Sequence, residues 1–262
     1  MQETNTGAVT RLLWTGGWDS TYRLLQLLLV ERREIQPYYI IDRAQYRPAV
    51  PAERRAMQDI RTCLAGRYPH ASISLRPTLE CPFHEIAPNP RITAWFEQSL
   101  KSGFIGGQYE WLARYCAQHG IDDMELAIHR DDKARELIAD LIDASRTRLD
   151  ARFAGDARYQ LFRCFRFPLF DKTKLDMRAD ARRTGFEEIM SLTWFCHRPI
   201  DGEPCGVCNP CIYTIEEGLA ERIPPRGMRR YRLRVLPRLR SALTRHTGLY
   251  IAARSMYRRM RG

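Results

Sequence analysis

The sequence predicts an α/β fold, a parallel twisted sheet with helices on both faces. Three observations carry that expectation. Apolar runs of strand length alternate with helix-length segments along most of the chain. At the first crossover Gly16 and Gly17 stand between an apolar run and a leucine-rich segment. A chain of 262 residues with 44% apolar content also suits one α/β domain of ordinary size plus an appendage.

The elements follow in order. Residues 10–14 read as a buried strand, and 20–30, rich in leucine, as a helix packed on it. A strand over 36–41 contains the apolar run from Tyr38 to Ile41 and precedes a helix over 52–66. A strand over 71–75 comes next, then a helix over 107–118 opened by Gly106-Gly107-Gln108-Tyr109. Residues 124–128 read as a strand and 133–149 as a helix. Asp131 and Asp132 are either first-turn acids favoured by the macrodipole or groups for substrate or magnesium. A strand near 161–167 and a helix over 174–184 complete the alternation. Ligands of such sheets bind beyond the carboxyl ends of the strands, where the Gly16-Gly17 loop and Asp42 would meet.

The stretch Leu13-Trp14-Thr15-Gly16-Gly17-Trp18-Asp19-Ser20-Thr21 is suited to an anion. Two glycines at the crossover let backbone amides point inward, with a helix N-terminus behind them. Ser20 and Thr21 add hydroxyls where an N-cap or first-turn donor belongs. A phosphate-bearing ligand is the natural occupant. The chain has no Gly-x-x-x-x-Gly-Lys-Ser/Thr, so this is not the usual kinase or GTPase cradle.

A second cluster is Cys196 followed by Cys205-Gly206-Val207-Cys208-Asn209-Pro210-Cys211. Four thiolates at this spacing can surround one tetrahedral zinc, with Zn–S of about 2.3 Å. Four cysteines close the coordination shell, which predicts a structural zinc, while an iron–sulfur cluster is the competing occupant. The other cysteines, 63, 81, 116 and 164, are scattered and read as buried free thiols.

The loop resembles the Ser-Gly-Gly-x-Asp-Ser signature of the PP-loop ATP pyrophosphatases, with Thr15 in place of the first serine. Together with the cysteines it is similar to the 7-cyano-7-deazaguanine synthase family of queuosine-type base synthesis. Further stretches occur in the family's order. Phe167-Pro168-Leu169-Phe170-Asp171-Lys172-Thr173-Lys174 resembles a Pro-Leu-x-x-x-Thr-Lys segment, and Ser191-Leu192-Thr193-Trp194-Phe195-Cys196 resembles the lead into the metal cysteines. The likeness spans roughly residues 9 to 215. It departs at His129-Arg130-Asp131-Asp132-Lys133-Ala134-Arg135, where the synthases carry a Tyr-Pro-Asp-Cys-Arg-like stretch for the deazaguanine substrate.

The resemblance implies an adenine nucleotide alpha hydrolase-like fold and an AMP-forming C–N ligase that binds ATP, Mg2+ and Zn2+. A carboxylate would be adenylated with loss of pyrophosphate, and ammonia would then give an amide or nitrile. Thr15, Gly16, Gly17, Asp19, Ser20, Thr21 and Asp42 would hold the nucleotide. Asp19, by magnesium coordination or loop bracing, Ser20 and Lys174 would serve catalysis, and Cys196, Cys205, Cys208 and Cys211 the metal. Two other readings stand beside this one: an enzyme that adenylates tRNA or another macromolecular acceptor, and a non-catalytic ATP-binding partner protein.

Charge divides the chain. Residues 222–262 hold thirteen arginines and no acid or lysine. Removing those thirteen from 42 basic residues leaves 29 against 31 acids over 1–221, a net of −2 beside the whole-chain +11. The expected organisation is an ATP-binding domain over 1–221, with the four-cysteine metal subregion at 190–215, and an arginine-rich tail over 222–262. The tail begins at Pro224-Pro225-Arg226-Gly227 and interleaves Leu233, Val235, Leu236, Leu239 and Leu243 with arginine. Such a segment suits a polyanion, either an anionic membrane surface or RNA. No run approaches the roughly 20 apolar residues that span a bilayer, and the first residues do not read as a secretory signal. The expected location is cytoplasmic, with peripheral attachment to a membrane surface open. A homodimer is the remaining expectation on partners.

Overall fold

The computed structural model describes residues 9–41 and 48–234. The chain divides into two compact units, residues 1–195 and 196–262. The four cysteines fall in the second unit. Among the described residues no helix is long and apolar enough to cross a membrane.

In the first unit the order is β1 (Thr10–Leu13), α1 (Trp18–Leu25), β2 (Ile35–Ile41), α2 (Val50–Arg67), α3 (Pro69–Ile73), β3 (Leu79–Pro82), α4 (Pro90–Ser99), α5 (Gln108–Gln118) and β4 (Met124–Glu125). It continues through α6 (Lys133–Ile138), α7 (Ala157–Phe162), β5 (Phe165–Arg166), α8 (Lys174–Thr184) and α9 (Glu187–Ser191). The five strands are all parallel in the order β3-β2-β1-β4-β5. The strand order reverses direction between β1 and β4, and the carboxyl ends of these two strands mark where the ligand crevice of such sheets lies.

Side chains alternate across β1. Leu13 packs on one face against the buried cluster that holds Tyr38, Ile40, Met124, Leu126 and the α5 residues Tyr109, Leu112 and Cys116. By the same alternation Leu12 and Trp14, both fully buried, point to the other face. There the Trp14 indole donates to Thr21 of α1 at 3.0 Å, and Arg61 of α2 lies over the ring at 5.3 Å. One ion pair lies inside these layers. Arg23 of α1 grips Glu125 of β4 with two bonds, Nε to Oε2 at 2.7 Å and Nη2 to Oε1 at 2.9 Å. Both side chains are only 9% exposed, and Arg23 Nη1 also meets Glu31 at 2.5 Å, so removing Glu125 would leave the buried guanidinium with one partly exposed carboxylate partner and destabilise the fold.

Three expectations are corrected and one helix is added; the strand expected near 161–167 is confined to Phe165–Arg166, because α7 runs through Phe162. Residues 71–75 are not a strand: α3 covers Pro69–Ile73, and only Leu75 bridges to Ile35. Pro69 suits the first helical turn because its missing N–H would be unpaired there anyway, and β3 forms later, with Leu79 opposite Tyr38. The helix over 133–149 stops at Ile138, followed by one tight turn over Ala139–Leu141. Beyond it Asp143 and Ser145 bind each other at 2.7 Å and Arg146 takes φ of 60°, a local bonding pattern that competes with helix. Helix α4 was not anticipated, although Asn89-Pro90 announces it. The Asn89 side chain accepts from the Ile92 amide as N-cap, with Pro90 in the first turn.

In the second unit, α10 (Asn209–Glu216) and α11 (Pro225–Arg234) follow the cysteine loop.

Candidate active site

Gly16 sits at φ +70°, in the left-handed region, and a Cβ there would lie 3.0 Å from the Glu53 carbonyl oxygen and from Met57 Cγ. Only glycine fits that turn without strain. The loop is braced from behind, where the Trp194 amide donates to the Gly16 carbonyl at 2.9 Å. Gly17 is extended and forms the N-cap of α1, with no side chain capping the helix. The first turn of α1 therefore presents backbone amides and the positive end of a helix dipole, which favour a phosphate.

Ser20 and Thr21 divide in role. The Ser20 hydroxyl stays with the loop, 3.4 Å from the Gly17 carbonyl oxygen it donates to and 3.5 Å from Thr15 Oγ1. Thr21 is fully buried, its hydroxyl accepts from Trp14, and its amide donates to Gly17. The structure thus keeps Thr15, Gly16, Gly17 and Ser20 together and turns the Thr21 side chain into the core. Asp42 lies outside the described residues, immediately after buried Ile41.

Asp19 is the hub of the crevice. Its Oδ2 lies 3.8 Å from Lys174 Nζ and 3.9 Å from His129 Nε2. Its Oδ1 is buried and finds no hydrogen-bond partner among the described residues. Lys174 is the first residue of α8, whose start is fixed by a capping box between Thr173 and Asp176. His129 follows β4 and is 5% exposed. Its Nδ1 accepts from the Asp131 amide at 3.3 Å, so the ring proton belongs on Nε2, facing Asp19.

Asp132 joins this cluster electrostatically. It caps α6 by accepting from the Ala134 amide at 2.8 Å, as a first-turn acid should. Burial pushes its carboxyl above the ordinary carboxylate range. The Ala134 amide, His129 and Lys174 act against that rise, and Asp19 adds to it. His129 was missed at the sequence level, whereas Asp132 combines the helix-capping role read from the sequence with an electrostatic coupling to Asp19, His129 and Lys174. The available signal was a polar residue following an apolar strand that ends at the switch point.

In the second unit the Sγ atoms of Cys196, Cys205, Cys208 and Cys211 all lie within 4.8 Å of one another. Two pairs, Cys196–Cys208 and Cys205–Cys211, are 3.9 Å apart. Tetrahedral bonds of about 2.3 Å put sulfurs about 3.8 Å apart, so these spacings fit a single ion. An iron–sulfur cubane interposes several irons and would hold its thiolates farther apart. Amides of Cys205, Val207 and Cys208 point at sulfur at 3.2 to 3.4 Å, which favours thiolates. Gly206, at φ +78°, is required because a Cβ there would fall 2.0 Å from the Gly227 carbonyl oxygen.

No protein-family model matches the chain, and no curated protein does. Among solved structures it is similar to one described as U34-tRNA thiolase NcsA from Methanococcus maripaludis with its [4Fe-4S] cluster. The alignment covers 85% of this chain and 70% of that one, at 13% identity and a TM-score of 0.40. A likeness this loose assigns neither ligand nor activity.

Proposed function

We infer that the chain is an AMP-forming enzyme of the PP-loop kind, which adenylates a small carboxylic acid and passes the acyl group to ammonia. One observation carries the reading: the uncapped start of α1, behind a turn only glycine can make, opens beside Asp19 and Lys174 at the switch point of a parallel sheet.

The residues divide the chemistry. Amides at the start of α1 receive the β- and γ-phosphates, so the group that leaves is pyrophosphate. Lys174, held by Asp19, supplies a positive point charge to the same phosphates. A magnesium ion fits the buried, unbonded Asp19 Oδ1 and would neutralise further phosphate charge. A carboxylate oxygen of the substrate attacks the α-phosphorus as the α–β bond breaks. Ammonia then attacks the acyl carbon, and AMP leaves with its electron pair. A second adenylation, on the amide oxygen, would lead to a nitrile.

The four thiolates close a coordination shell, so the cysteine site suits a structural zinc that folds its own loop and takes no part in the reaction. The sequence at 129–135 differs from the synthase pattern, so the substrate class here is a small carboxylic acid and not specifically a deazapurine. The test is pyrophosphate release across candidate carboxylic acids with ATP and ammonium, with mass spectrometry of the product. An amide or nitrile formed with AMP and pyrophosphate supports the reading. Pyrophosphate release that no small acid stimulates overturns the substrate class.

A further inference from the structure

Helix α11 has two unlike sides. Its inner side closes on the cysteine loop: Gly227 lies against Gly206, Tyr231 is buried, and Arg230 Nη1 donates to the Cys205 carbonyl at 3.2 Å. Its outer side exposes Arg226, Arg229, Arg232 and Leu233, which recur at the spacing of one helical stripe. None of these arginines has an acidic partner among the described residues, and the sequence from 222 to 262 contains no acid that could supply one. Leu233 is 67% exposed, at the end of a groove lined by Ile223, Pro225 and Met228, with Arg229 and Arg232 along it.

We propose that the outer face of α11 docks on an anionic phospholipid bilayer, with the arginines on headgroup phosphates and Leu233 in the acyl boundary. Unpaired arginines alone would suit any phosphate polymer. Two observations select lipid. An exposed leucine among the arginines gains nothing against a phosphate backbone but is stabilised by hydrocarbon. The aromatic of this helix, Tyr231, is buried and cannot stack on a base. The sequence beyond 234 continues the same alternation of arginine with leucine, isoleucine and methionine. This inference is independent of the ATP chemistry.

The experiment uses the full chain and co-sedimentation with phosphatidylcholine vesicles, with and without phosphatidylserine, at low and high salt. Binding is expected only with phosphatidylserine, and it should weaken as salt rises. The combined variant Arg226→Gln, Arg229→Gln, Arg232→Gln should lose on the order of a hundredfold in affinity. Every arginine from 238 onward stays in place, so that loss reads α11. Leu233→Asp should weaken vesicle binding and leave any tRNA binding as in the wild type. Retained metal content in both variants reports that the cysteine loop still folds. No binding to phosphatidylserine vesicles at low salt overturns the proposal, as does wild-type binding by the triple variant. Vesicle binding indifferent to Leu233→Asp, with tRNA binding lost in the triple variant, would assign the face to RNA instead.

Discussion

The Asp19 carboxylate lies 3.8 Å from the Lys174 ammonium, joining the first turn of α1 to the first residue of α8. Neither side chain is freely exposed, at 25% and 12%. In the proposed site, removing either group takes away phosphate charge compensation. Lys174→Ala should lower kcat/KM for ATP by about a hundredfold or more, and Asp19→Ala should abolish turnover. Both should melt close to the wild type, because each side chain stands at the first turn of its helix and neither belongs to the hydrophobic core. Steady-state pyrophosphate release and thermal melts check this. Wild-type turnover by Lys174→Ala would remove the lysine from the phosphates.

The metal prediction rests on sulfur spacing. One zinc per chain is expected from elemental analysis of the purified protein. Cys208, the N-cap of α10 and the least buried of the four, leaves three thiolates when changed to serine. Cys208→Ser should lower the metal content and destabilise the 196–234 segment. Iron with labile sulfide in the wild type would contradict the single-ion reading.

Asp132 gives a pH prediction with a definite sign. Its folded pKa is raised, first by burial, so the folded protein holds this proton more tightly than the unfolded chain. The group costs nothing below its unfolded value of about 3.9. Its cost grows as pH rises through the window up to the folded pKa, and is fully present above it. Asparagine keeps the oxygen that accepts from Ala134 and removes the charge. Asp132→Asn should therefore be at least as stable as wild type at neutral pH, with the difference closing toward about pH 4. Denaturant melts across that range test it. A less stable variant at neutral pH would mean that attraction to His129 and Lys174 outweighs burial.

The elements best read from sequence were those with one dominant local signal. The apolar run before Gly16 and the leucines after it place β1 and α1. Helix α8 runs over Lys174–Thr184 as read from the sequence, and the Thr173–Asp176 capping box holds its start. The apolar pattern failed at 71–75, where Ile73 is 82% exposed and Pro69 starts a helix instead. It failed again past Ile138, where short polar side chains bond their own backbone. The Gly16 turn and the cysteine spacing were legible because each is contiguous in sequence. The contacts of Asp19 with His129 and Lys174 depend on strand order, which brings β1 beside β4, and no local pattern encodes that.

The most direct measurement is the identity of the products formed from ATP. With a competent carboxylic acid and ammonium, labelled ATP resolved by chromatography should yield AMP and pyrophosphate in equal amounts, and Asp19→Ala should yield neither. In the proposed site the helix-end cradle, which lacks a Walker lysine, directs cleavage to the bond between the α- and β-phosphates. ADP and inorganic phosphate as the main products would contradict it.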